Sequence, residues 1–110
     1  MEMTVQIREQ GGDFVSTVTM HKPQSLAELR WLANNLSVSL ADIDTSEITD
    51  MRNLFRDSAR KDFRGIENWD TSRVTDMTGM FRRVGAFNQD IGGWDTSRVK
   101  DMSGMFEDAV

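Results

Sequence analysis

Two files of aspartate run through the sequence, Asp44, Asp70 and Asp95, then Asp50, Asp76 and Asp101. Regularly spaced carboxylates hold calcium in some repeat proteins, and carboxylates in unlike settings divide acid and base work between them. Neither chemistry fits here. The glycine-rich nonapeptide of calcium-binding repeats is missing, and acids in repeat register share one environment, so nothing separates an acid from a base. His21 is the single histidine and cysteine is absent, which leaves no zinc site of the usual kind and no disulfide framework. No Gly-x-Ser-x-Gly elbow surrounds a serine, and no glycine-rich phosphate loop occurs. The sequence therefore reads as a non-enzyme with no catalytic residues, no metal and no cofactor, and an enzyme with an unrecognised carboxylate site is only the third reading. Negative charge near helix starts, with hydrogen bonds to turn N–H groups, accounts for both files of acids.

The aspartates belong to a phrase that occurs three times. Ile43-Asp44-Thr45-Ser46-Glu47-Ile48-Thr49-Asp50-Met51 returns as Trp69-Asp70-Thr71-Ser72-Arg73-Val74-Thr75-Asp76-Met77 and as Trp94-Asp95-Thr96-Ser97-Arg98-Val99-Lys100-Asp101-Met102. The step is 26 positions from Asp44 to Asp70 and 25 from Asp70 to Asp95. Such a period marks a stack of units, each unable to bury its apolar side without a neighbour. Equivalent positions then form ladders: Leu40/Ile66/Ile91, Ile43/Trp69/Trp94, Ile48/Val74/Val99, Met51/Met77/Met102 and Phe55/Phe81/Phe106. These ladders are the expected core, with methionine filling irregular gaps. The steps of three and four from Ile48 to Phe55 predict a short helix, so each unit reads as strand, turn and helix. Ser46, Ser72 and Ser97 are its N-cap candidates. Gly79 and Gly104 fall inside the predicted helices, which implies close approach of neighbouring helices, although Asn53 holds that place in the first unit.

The residues ahead of the repeats predict a cap. Met3, Val5 and Ile7 alternate with polar residues, Gly11-Gly12-Asp13 supplies turn chemistry, and Phe14 to Met20 has strand character, so a β-hairpin is expected. Ser25-Leu26-Ala27-Glu28 has the form of a capping box before a helix of about three turns. Its stripe is Leu26, Leu29, Leu32, Ala33 and Leu36, with Trp31 packing at the edge. The organisation is one continuous domain, with a cap over 1–36 and three repeats over 37–62, 63–86 and 87–110.

Composition narrows the classes further. With 110 residues, 38% of them hydrophobic and 28% charged, the chain supports a single core. The net charge of −5 argues against a nucleic-acid partner, and the basic pairs Arg60-Lys61 and Arg82-Arg83 read as solvated surface. No stretch is long and apolar enough to cross a bilayer, and the first residues lack the basic head and apolar run of a signal peptide.

Trp-Asp-Thr-Ser, Asp-Met and Met-Phe recur in phase, and on these residues the chain resembles the BspA-type leucine-rich repeat, in particular a bacterial branch first noted in Mycoplasma lipoproteins. The likeness is close from Phe87 to Ala109, good from Trp69 to Phe81 and recognisable from Ile43 to Phe55. It implies an α/β, leucine-rich-repeat-like solenoid of about three repeats with a hairpin-and-helix cap. It also implies a cell-surface or secreted setting and adhesion to host components or other cells. The resulting expectation is a non-enzymatic module that binds a protein or glycan through its strand face, at Ser37, Ser39, Arg64, Asn88 and Asp90. The alternative is a structural piece of a longer array. No polar closing unit follows Phe106, so end-to-end self-association through the C-terminal repeat edge is expected in that case.

Overall fold

The computed structural model describes the backbone of residues 2–8, 15–85 and 87–109 and the side chains of 20–85 and 87–109. Residues rich in Val and Thr, whose branched side chains suit a pleated ribbon, form β1 (Glu2–Arg8) and β2 (Val15–His21). The two pair antiparallel, with Glu2 opposite His21 and Arg8 opposite Val15. The turn expected at Gly11-Gly12-Asp13 lies outside the described residues. At its far end β2 leads into the repeats, because His21 bridges Ile43 in parallel and its carbonyl accepts the Asp44 N–H at 2.7 Å.

Helix α1 (Leu26–Ala33) starts where the capping box places it. The Ser25 hydroxyl accepts the Glu28 N–H at 3.2 Å, which satisfies one donor that the first turn would orphan, and the Glu28 carboxylate takes the N–H of Gln24, one residue before the cap, at 3.0 Å. The helix has two turns, not three. It ends at Asn34, whose side-chain amide donates to both the Arg30 and the Leu54 carbonyls at 2.9 Å. That crosslink ties the helix end to the first repeat and turns the chain away, which leaves Leu36 63% exposed. Leu29, Leu32 and Ala33 are buried, whereas Trp31 is 68% exposed and packs at no edge of the stripe.

The repeats correct the expected backbone. Among the described residues of 37–109 there is no α-helix and no strand beyond isolated bridges, so strand-turn-helix does not describe these units. The segments expected as helices instead carry the contacts between repeats. Asp50, Asp76 and Asp101 are joined by parallel bridges. The amides of Met51, Asn53, Phe55 and Asp57 donate to the carbonyls of Asp76, Thr78, Met80 and Arg82 at 2.8–3.0 Å. Those of Met77, Gly79, Phe81 and Arg83 do the same to Asp101, Ser103, Met105 and Glu107 at 2.8–2.9 Å. An amide committed to the next repeat cannot close an i→i−4 bond, so no α-helix can form there. The intervening amides close tight turns, as Leu54 to Met51, Arg56 to Asn53 and Ser58 to Phe55.

This explains the glycines without any helix packing. Asn53, Gly79 and Gly104 have φ of 54°, 61° and 62° and stand third in the turns that begin at Met51, Met77 and Met102. A left-handed third position is the type II arrangement, which favours Gly or Asn. The segments expected as strands hold single 3-10 turns, Leu40–Asp42 and Ile66–Asn68. The first is started by the Ser39 hydroxyl accepting the Ala41 N–H, and the second by Gly65 at φ 98°.

Equivalent side chains superpose in the interior. Phe55 and Phe81 lie 5.5 Å apart at 7°, and Phe81 and Phe106 lie 5.3 Å apart at 7°, an offset-stacked column. Phe63 and Phe87 meet edge to face at 5.3 Å. The indoles of Trp69 and Trp94 are buried and donate to the Leu40 and Ile66 carbonyls at 2.8 and 3.0 Å. The buried Thr45 and Thr71 hydroxyls donate to the Asp70 and Asp95 carbonyls at 3.0 Å.

Arg60 departs from the expected solvated surface, whereas its neighbour Lys61 is exposed. Arg60 is 6% exposed, and its guanidinium donates to the carbonyls of Ala33, Asn35, Val38 and Asp62 at 2.7–3.2 Å. Burial lowers its pKa, and the carbonyls replace the water it has lost. The fan of donors clamps the end of α1 and the connection after it onto the core.

Candidate functional site

The surface chemistry is set by the two files of aspartate, which work as turn acceptors. The Oδ1 atoms of Asp44, Asp70 and Asp95 accept the N–H of Ser46, Ser72 and Ser97 at 2.9–3.0 Å. Those of Asp50, Asp76 and Asp101 accept the N–H of Arg52, Thr78 and Ser103 at 2.8–2.9 Å. Each is an Asx turn, in which a short carboxylate mimics a backbone acceptor two residues back. The serines expected as N-caps therefore have the opposite role, and Ser72 donates its hydroxyl to Asp70 at 2.6 Å. Hydrogen bonds from the hydroxyl and amide of Ser72 hold Asp70 below the usual carboxylate range, and Ser97 and Ser103 act likewise on Asp95 and Asp101. At Asp44 burial works upward, but the Ser46 hydroxyl and amide outweigh it.

Two open grooves cross this surface. The first, of about 620 Å³, runs between the first two repeats and is lined in part by Ser37, Ser39, Arg60, Arg64 and Glu67. Three of the five residues expected to bind thus meet at one place, although none of them is on a strand. Ser37 donates its hydroxyl to Asn35 at 2.7 Å, and Ser39 caps the 3-10 turn. Arg64 grips Asp62 through Nε and Nη2 at 2.9 and 2.8 Å, and these bonds, together with one from the Arg64 amide, draw the Asp62 pKa down to about 2. Asn88 and Asp90 are exposed in the third repeat and do not line this groove, and Asp90 accepts the Gly92 N–H at 2.8 Å.

The second groove, of about 610 Å³, is lined by Thr49, Ser72, Arg73, Thr75, Asp95, Ser97 and Arg98. Arg73 reaches back to Glu47 at 3.1 Å. Sequence reasoning passed over this face, yet a signal was present: Glu47, Arg73 and Arg98 share the place in the phrase where charge changes sign while the flanking Ser and Ile or Val recur. Both grooves offer hydroxyl, carboxylate and guanidinium groups at a shallow surface, a set that can hydrogen-bond sugar hydroxyls or a peptide chain. Among the described residues no cluster of three or more His, Cys, Asp or Glu could hold a metal ion, and no helix is long and apolar enough to cross a membrane.

Recurring Asx turns, stacked phenylalanines and backbone bonds in register define the chain as a repeat protein. Residues 24–110 match the family described as Mycoplasma protein of unknown function, DUF285, and the chain belongs to that family. No curated protein and no solved structure matches it.

Proposed function

We propose that the chain is a non-enzymatic interaction module, a short BspA-like, leucine-rich-repeat-type solenoid of a surface or secreted bacterial protein, and that it takes a protein or glycan ligand. The observation that supports this most is the convergence of Ser37, Ser39 and Arg64 on one open groove. The interior is committed to aromatic, aliphatic and methionine packing, so recognition falls to the turns. Those turns are held by carboxylates that stay ionised, which makes the groove a rigid array of polar groups whose ordering cost is met in folding. The Asp62–Arg64 pair is solvent-exposed and free to exchange partners, so Arg64 is the residue best placed to meet a carboxylate or hydroxyl from outside.

The test is a glycan array together with a panel of purified matrix proteins, probed with the wild-type chain and with Arg64→Ala and Arg98→Ala. Binding that falls with Arg64→Ala and survives Arg98→Ala is the expected result. Binding indifferent to Arg64 and lost with Arg98→Ala would move the site to the second groove, and failure to bind any member of either panel would count against the module reading.

A further inference from the structure

Granted that the groove between the first two repeats is the binding face, we propose that its ligand is an extended peptide segment of a partner protein, carrying an aliphatic side chain beside a lysine or arginine. The two walls of this groove differ. Residues 36–41 offer apolar surface: Leu36 is 63% exposed, Ala41 is exposed, and Val38, packed on the core, is half-buried. Residues 62–68 offer charge at Asp62, Arg64 and Glu67, all of them exposed. The walls meet where Gly65, at φ 98°, lies so close to Ala41 that a Cβ there would come within 2.6–2.7 Å of it. Only glycine allows that approach, so the groove is built on a fixed contact between two turns.

The charges in it are not equivalent. Asp62 is held by Arg64 at 2.8 Å and lies in the field of Arg60, whose own donors are committed to four carbonyls. Glu67 has no cation within ion-pair reach among the described residues. Its Oε2 accepts the Gly65 N–H at 3.0 Å and the Gln89 side-chain amide at 3.2 Å, which holds the carboxylate in place and leaves Oε1 uncommitted. A fixed carboxylate without a counter-ion, beside exposed aliphatic carbon, is complementary to a cation carried next to an apolar side chain.

A glycan fits less well. Sugar rings are gripped through their C–H faces by aromatic side chains, and none of the described groove residues is aromatic. The net charge of −5 opposes an acidic glycan and draws a basic segment in. Arg64 remains for a carboxylate or hydroxyl on the same segment.

An immobilised array of short peptides, with Leu, Lys, Glu and Ser varied at every position and probed with the intact chain, tests this. Retained peptides should carry Leu together with Lys and lack Glu. One of them, followed in solution by anisotropy, should bind about threefold or more weakly to Glu67→Gln and to Leu36→Ser, and as wild type to Arg98→Ala. Gln keeps an oxygen for the Gly65 N–H and Leu36 is exposed, so both variants should fold, and the array read on the wild-type chain needs no variant at all. Retention of Glu peptides, retention blind to Leu, or binding unchanged in both variants would overturn the peptide class. Glycans bound through Arg64 while no peptide is retained would do the same and leave the groove as the binding face. Binding indifferent to Arg64→Ala, Glu67→Gln and Leu36→Ser together would remove the groove as well.

Discussion

The indole N–H of Trp94 donates to the Ile66 carbonyl at 3.0 Å, one repeat back, and so gives that acceptor a second donor beside the Trp69 amide, also at 3.0 Å. Trp69 does the same to Leu40 at 2.8 Å. Replacing Trp69 by Phe keeps an aromatic ring in the core but leaves the Leu40 carbonyl with the longer bond from the Ile43 amide alone, at 3.3 Å. The expected loss is about 0.5–1.5 kcal/mol, that of one hydrogen bond, read as a lower denaturant midpoint at unchanged slope. A midpoint equal to wild type would show that the indole contributes packing alone.

Arg60 should not tolerate a conservative change. Lysine keeps the charge but cannot reproduce the planar fork that reaches four carbonyls, so Arg60→Lys is expected to cost about 2 kcal/mol or more. The damage should begin at α1, seen as faster amide exchange at Leu32 and Ala33 than at Phe81. Uniform exchange across the chain would argue against a local clamp.

Backbone handedness predicts a coupled pair. Gly79→Ala forces a side chain into a left-handed position, at about 1–2 kcal/mol, and its Cβ would meet the Asn53 side chain. The same substitution in an Asn53→Gly background removes the collision and leaves only the backbone strain. A double-mutant cycle should therefore show positive coupling, and strict additivity would place the cost in the backbone alone.

Acid should loosen the turns. The carboxylates of Asp70, Asp95 and Asp101 are held below their ordinary value in the folded chain, and Asp62 is drawn down to about 2. A depressed folded pKa contributes stability that is present above the unfolded value near 3.9 and is lost as pH falls through the folded value. Denaturant midpoints should therefore hold from neutrality to about pH 4 with respect to these groups and then decline toward pH 2. Asp70→Asn keeps the Oδ1 acceptor without the titration, so the decline should become shallower. An unchanged acid limb in that variant would remove Asp70 from the account.

Much of this was legible in the residues. The capping box at Ser25 and Glu28 marks the start of α1, because its two hydrogen bonds are local. The apolar phases mark the core in the first two repeats, where Phe55, Phe81, Met51 and Met77 are fully buried, but not throughout the third, where Met102 and Phe106 are 42% and 48% exposed. The path of the backbone between those phases was not legible, and the five expected contact residues were consequently placed on strands that do not exist. Only Ser37, Ser39 and Arg64 share a groove. Arg60 was misread for a related reason: nothing in Arg-Lys shows that four carbonyls from distant turns await one of the two side chains.

By itself the sequence settles what recurs and at what interval, and therefore which side chains lie over one another, because identical units that bury the same phases must superpose them. Tertiary structure alone settles where each backbone amide finds its acceptor. Apolar steps of three and four suit a helix and a run of tight turns equally well. The choice between them rests on carbonyls some 25 residues away, offered by the neighbouring repeat at the spacing those amides require.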